Sequence, residues 1–316
     1  MRVDAHLDLA YNALNLGRNL TLPLEALRRQ EGLSETPLVS LPSLREAGFG
    51  LVFATVFVDP RGHEGHLFEE ALRQVALYLE WERQGLVRIL RSGRDLKTHA
   101  LAYPKDGVLG LLLLLEGAHV LPEPEALDEL HARGVRMVGL TWATKNAYAG
   151  GNAEPAPLSA LGEALLARME RLGTALDVSH LADTAFFPVM ARFKGPVAAS
   201  HANARALTPT PRHLSDEMLL ALRVRDGVVG VVPFNAFLDV SWTRGMPRLP
   251  ISACLAHKAY LEARLGPDRV GLGSDWDGGF GLESLPLGLE AHKDLVRLGD
   301  EAFLGGNWIR WLQTWL

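Results

Sequence analysis

One cysteine, Cys254, is all the chain offers, which excludes an intramolecular disulfide and any paired-cysteine metal motif. Packing or other ligands must hold the fold, and a reducing, cytoplasmic setting is expected. Long hydrophobic runs are missing too: Val108 to Leu115 has eight residues with one glycine, against roughly 20 needed to span a bilayer. Met1-Arg2-Val3-Asp4 leads straight into the first apolar run, and no hydrophobic anchor signal closes the chain, so neither a leader nor membrane attachment is expected. There is no basic excess. With 32 Lys and Arg against 37 Asp and Glu, the net charge of -5 gives no stripe for phosphate contacts and argues against nucleic acid as a partner. No low-complexity tract, short-period repeat or Ser/Gly linker divides the chain.

What is present is an ordinary globular composition, 48% hydrophobic and 22% charged over 316 residues, long enough to bury a large core. Eight apolar, β-favouring runs recur: Arg2 to His6, Leu51 to Val58, Val108 to Glu116, Val135 to Trp142, Ala175 to His180, Val197 to His201, Val228 to Phe234 and Val270 to Asp275. Stretches with helical spacing separate them: Leu67 to Gln84, Pro124 to Arg133, Ser159 to Leu172, Asp183 to Arg192, Asp216 to Arg225 and Ile251 to Leu265. Gly173 and Gly266 fall where helices should stop. Eight strands with helical crossovers predict an α/β fold, a (β/α)8 TIM barrel formed by residues 1–316 as one domain. Asn12 to Leu44 and Ala147 to Leu158 read as long loops able to cover a site.

Catalytic groups in such barrels gather at the C-terminal ends of the strands. His6 and Asp8 close the first run, Glu116 the third, His180 the fifth, His201 the sixth and Asp275 the eighth. Residues i and i+2 of a strand point the same way, so His6 and Asp8 can serve one centre. Three histidines and three carboxylates at one barrel mouth form a nitrogen-plus-oxygen set suited to zinc. They exceed one tetrahedral ion and match two, sharing a bridging carboxylate and a bridging hydroxide, the arrangement of a hydrolase that must make a nucleophile and polarise its target. Glu116 is the candidate bridge. A lone strand-end His or Asp is commonly a satisfied polar group or a helix cap; the weight lies in five runs ending in ligand-type residues while their interiors stay apolar.

Six segments, Asp4-Ala5-His6-Leu7-Asp8, Glu116-Gly117-Ala118-His119, Leu140-Thr141-Trp142, Asp177-Val178-Ser179-His180, Ser200-His201-Ala202-Asn203-Ala204-Arg205 and Gly273-Ser274-Asp275-Trp276-Asp277-Gly278, resemble in order the motifs of the membrane (renal) dipeptidase family, peptidase M19 of the amidohydrolase superfamily. Gly305-Gly306-Asn307-Trp308 is similar to its closing segment. The resemblance implies a zinc-dependent dipeptidase with two Zn²⁺ per chain, His6 and Asp8 on one ion, His180 and His201 on the other, and Glu116 bridging. It further implies that Asp275 exchanges protons with the bridging water and the leaving amine, that Arg212 grips the substrate carboxylate, and that the protein is a homodimer. Where mammalian-type members carry a substrate-orienting histidine after Leu-Thr, this chain has Trp142 as the substrate-binding candidate. Hydrolysis of an N-acyl amino acid or a lactone at the same centre, or a catalytically silent metal-binding barrel, are the alternative readings. His119 is read either as a residue orienting Glu116 or as a loop histidine, Asp277 as a turn or supporting residue, and His63 with His66 as an exposed loop pair.

Overall fold

Uninterrupted apolar runs become strands buried on both faces, and polar-flanked amphipathic stretches become the helices that cover them. A computed structural model describes residues 1–30, 33–62 and 65–316. Among the described residues nine strands form: β1 Arg2–Leu7, β2 Phe49–Val56, β3 Val87–Ile89, β4 Leu109–Leu115, β5 Val135–Gly139, β6 Ala175–Asp177, β7 Val197–Ala198, β8 Val229–Val231 and β9 Val270–Leu272. All pair in parallel, in the order β1-β2-β4-β5-β6-β7 with β3 beside β4, and β8 with β9. A parallel bridge between Ala199 and Val229 joins β7 to β8. On the other side the Asp275 N–H donates to the His6 carbonyl at 3.1 Å, bringing the end of β9 back to β1. The result is a curled, TIM-barrel-like α/β fold in which eight strands match the eight apolar runs. The ninth, β3, was not anticipated; it adds only three residues, with Arg88 in the middle.

Alternation sorts the side chains into two cores. Val3 and Ala5, Leu51 and Phe53, and Leu112 and Leu114 belong to an inner cluster closed off by Trp308, Trp311 and Leu312 of the last helix, Asn307–Leu312. Their neighbours in sequence, such as Val52, Ala54, Leu111 and Leu113, pack outward with helix residues such as Leu165 and Leu219. Helices Leu67–Arg83, Ala160–Leu172, Asp183–Arg192, Asp216–Val224 and Ile251–Leu265 lie where spacing predicts them. Ser159 and Ser215 cap two of them through their side-chain oxygens, and Gly173 ends one with φ 67°. The expected Asn12 to Leu44 loop is only partly a loop: short helices Leu9–Leu14, Leu24–Arg28 and Leu41–Glu46 punctuate it. Among the described residues no helix is long and apolar enough to cross a membrane.

Candidate metal centre

The barrel brings His6, Asp8, Glu116, His180, His201 and Asp275 to one end of its strands. Val3 and Ala5 face the inner core, and the β1–β2 register then breaks between Asp4 and Leu7. Such an irregularity re-aims side chains, and beyond it His6 Nε2 lies 4.0 Å from Asp8 Oδ1 and 3.4 Å from Glu116 Oε2. Glu116 turns its other oxygen the opposite way: Oε1 is 3.2 Å from His180 Nε2 and 3.5 Å from His201 Nε2. Two ligand groups result, His6 with Asp8 and Glu116, and His180 with His201 and Glu116. Asp275 Oδ1 stands 3.9 Å from His6 Nε2. Non-glycine residues rarely adopt positive φ, yet His180 at 64°, Asp275 at 58° and Asp277 at 63° all do so here; held conformations of this kind concentrate at functional sites.

These groups fit metal ions. His6 Nε2 is buried with no hydrogen-bond partner, and the Nε2 atoms of His180 and His201 face each other at 3.0 Å. Two nitrogens bound to one tetrahedral zinc are about 3.4 Å apart given Zn–N bonds of about 2.0–2.1 Å, so the spacings suit ligands sharing an ion. The electrostatics agree. Burial alone would depress His6, but Glu116, Asp275 and Asp8 outweigh it and raise its pKa to about 10. Burial, then the Glu116 charge, pushes Asp8 up to about 7. Glu116, though buried, is held below the usual carboxylate range by His6 and His180. Burial and the nearby Arg212 take His180 down to about 4, and burial with His6 and Arg212 takes His201 well below its ordinary value. Such displaced values mark groups arranged for a cation or for proton transfer.

A sequence profile described as membrane dipeptidase (peptidase family M19) matches residues 1–305. The chain belongs to that family. With it comes the metallo-dipeptidase class of hydrolases. The chain is similar over 99% of its length and 99% of the other chain, at 26% identity and a TM-score of 0.83, to a metallo peptidase from Rhodobacter sphaeroides liganded with a phosphinate mimic of the dipeptide L-Ala-D-Ala. A second crystal structure, of the M19 metallo peptidase dipeptidase AC, aligns with a TM-score of 0.85 at 26% identity over 99% of this chain and 98% of the other. The Aspergillus oryzae dipeptidase aclJ is 28% identical over 82% of this chain, which spans 63% of that relative's length.

Beside the ligand groups of this M19 barrel lies a cavity of about 370 Å³, lined by Asp8, Glu116, His180, His201 and Asp275 and walled by aromatic side chains. Trp142 is part of that wall, with ring centroids 5.3 Å from Phe57 and 6.2 Å from His180 and the Arg61 guanidinium 5.4 Å away. Arg212 is not on the wall. It is buried against two residues that are, its Nη2 donating to the His201 carbonyl at 2.9 Å and its guanidinium 5.0 Å from the Phe237 ring, while Nε and Nη1 have no partner. His119 donates to or accepts from nothing on Glu116; its Nε2 is 2.8 Å from the Val58 carbonyl. Asp277 accepts from the Leu38 and Val39 N–H groups and pairs with Arg18, pinning the long first excursion against the site. His66 is exposed ahead of helix Leu67–Arg83, and His63 lies outside the described residues.

Sequence reasoning passed over the residues that hold the ligands. The Thr55 hydroxyl donates to Asp8 Oδ1; as the one polar side chain in the β2 run Phe49–Val56 it carried a signal. Asn152 Oδ1 is 3.0 Å from His180 Nδ1, but it comes from the loop after β5, and nothing in spacing links the two.

Proposed function

We propose that the chain is a zinc-dependent dipeptidase whose barrel, one unit over residues 1–316, holds two Zn²⁺ ions, His6 and Asp8 on one, His180 and His201 on the other, with Glu116 between them. The observation that carries this reading is the split of Glu116: one carboxylate oxygen lies against each group of ligands. When bound, the ions would supply Lewis acidity and a water acidified toward neutral pH. Asp275 moves the proton. In the metal-free site, burial together with Asp8 and Glu116 pushes its carboxyl well above the usual range; two cations alongside would reverse that and leave a base able to take a proton from water and hand it to the leaving amine. Arg212 supplies the N–H donors of two unpartnered nitrogens, Nε and Nη1, for the substrate's C-terminal carboxylate. An anchor at that point favours substrates whose carboxylate lies one residue beyond the cut. Trp142 forms part of the wall against which a side chain packs.

Metal content measured by mass spectrometry, paired with hydrolysis of a dipeptide panel before and after chelation, tests the reading. About two zinc per chain and chelation-sensitive cleavage are expected. Two metals without dipeptide cleavage would shift the reaction to N-acyl amino acids or lactones, and a chain that takes up no zinc would end the proposal. Asp275→Asn should keep both ions and lose about 10²–10⁴-fold in kcat, the usual worth of a positioned acid–base group.

A further inference from the structure

Between the two ligand groups, in contact with a histidine of each, sits the buried Ser200 hydroxyl. Ser200 Oγ is 3.0 Å from His6 Nδ1, 2.8 Å from His201 Nδ1 and 2.5 Å from Asp177 Oδ2. A fourth neighbour, Ser179 Oγ, is at 3.4 Å. Ser200 is fully buried, so water does not compete for these contacts. A hydroxyl has one proton to give and two lone pairs to accept with. The other Asp177 oxygen, Oδ1, already accepts the Ser179 and Ser200 backbone N–H groups, each at 3.0 Å. Oδ2 therefore takes the hydroxyl proton, and both Ser200 lone pairs remain for the two imidazoles.

We infer that Ser200, oriented by Asp177, is a positioning residue shared by both metal sites: it accepts a hydrogen bond from the Nδ1–H of His6 and of His201 and so turns both Nε2 lone pairs toward the ions. This rests on the two-ion reading given above. The arrangement saturates the hydroxyl and fixes two ring tautomers at once, each on a different ion. His6, Asp177 and His201 also lie close enough together to hold a metal themselves, but the Ser200 oxygen is already in contact with all three. His180, the remaining ring, is held separately by Asn152. Outer partners that fix a ligand histidine are typically worth about 10–100-fold in metal affinity. A hydroxyl common to both ions spreads that effect over both.

Zinc affinity read by competition with a chromophoric chelator, on the full chain, separates this from a local structural role. In Ser200→Ala both zinc affinities should fall about 10–100-fold, whereas Asn152→Ala should weaken one ion and spare the other. Thermal unfolding of the metal-free proteins establishes that each variant is folded. Should Ser200→Ala fail to fold, Asp177→Asn answers the same question at unchanged size. With Oδ1 still bound to two backbone N–H groups, its amide N–H faces Ser200 Oγ, turns the hydroxyl proton onto one imidazole and weakens at least one ion to the same degree. Two undiminished affinities in Ser200→Ala, loss of one ion alone there, or full retention in Asp177→Asn would overturn the inference. A wild-type chain that bound no zinc would instead remove the proposed function beneath it.

Discussion

Gly278 leaves room for Asp275: a Cβ at position 278 would lie 2.1 Å from Asp275 Oδ1 and 2.9 Å from its Cγ. No van der Waals contact is that short, so any side chain there must push the carboxylate out of place. Displacements near 1 Å at reacting groups cost about 10²-fold in rate. Gly278→Ala is therefore expected to lower kcat on dipeptides by about 10–100-fold while both zinc ions stay bound, since position 278 supplies no ligand. Steady-state kinetics with metal analysis on the same preparation checks it, and lost metal would point to a wider collapse of the site.

Arg212 is buried yet leaves two of its three nitrogens without partners, and burial pulls its pKa down against the raising effect of Asp275, Glu116 and Asp177. A buried, unfinished guanidinium is stabilised by an arriving carboxylate more than an exposed one is, because the pair is poorly screened. Arg212→Ala should cost about 10²-fold or more in kcat/KM on free dipeptides, in line with about 3 kcal/mol for a lost charged contact. Dipeptide amides should lose far less. Equal losses on both would reject Arg212 as the carboxylate anchor and leave it a brace for the His201 carbonyl.

The eight strands were legible because strands buried on both faces are long apolar runs, and the ligand candidates because each polar residue interrupts such a run at its C-terminal end. β3 was not: three residues with a central arginine show no period. Nor was helix Gly93–Asp106, which starts on glycine, carries Pro104 and has a weakly apolar composition; its place is set by packing, with Leu96 and His99 buried. At the site, sequence order named the strand-end residues but could not show that Ser200 touches two rings, one of them 194 positions away. It also could not show that Arg212 is buried against His201 and Phe237, since loop course decides that.

Zinc uptake should depend on pH differently at the two positions. A ligand must lose its proton to bind, and in the metal-free site His6 holds one up to about 10 and Asp8 up to about 7. Filling the His6–Asp8 position between pH 7 and 9 thus releases about one proton, and log affinity should rise by about one per pH unit, more steeply below pH 7. His180, down at about 4, and His201, lower than its ordinary value, are already neutral there. Their position should bind with nearly constant affinity down to about pH 5. Competition titrations across pH 6 to 9 read both slopes, and equal slopes would contradict the charge distribution described here.

Trp142 presents an aromatic face to the cavity, and its contacts with Phe57 and His180 make it part of the wall. If that wall binds the substrate's side chain, its removal should weaken binding without touching the reacting groups. Aromatic contacts of this kind are worth about 0.5–1.5 kcal/mol. Trp142→Ala is expected to raise KM about 2–12-fold for dipeptides with a phenylalanine or leucine side chain. The change for glycylglycine should be much smaller, and kcat should stay within about threefold for all. The opposite split, a fall in kcat with KM unmoved for every substrate, would mean that Trp142 acts through the His180 ring it packs against, holding a ligand rather than a side chain.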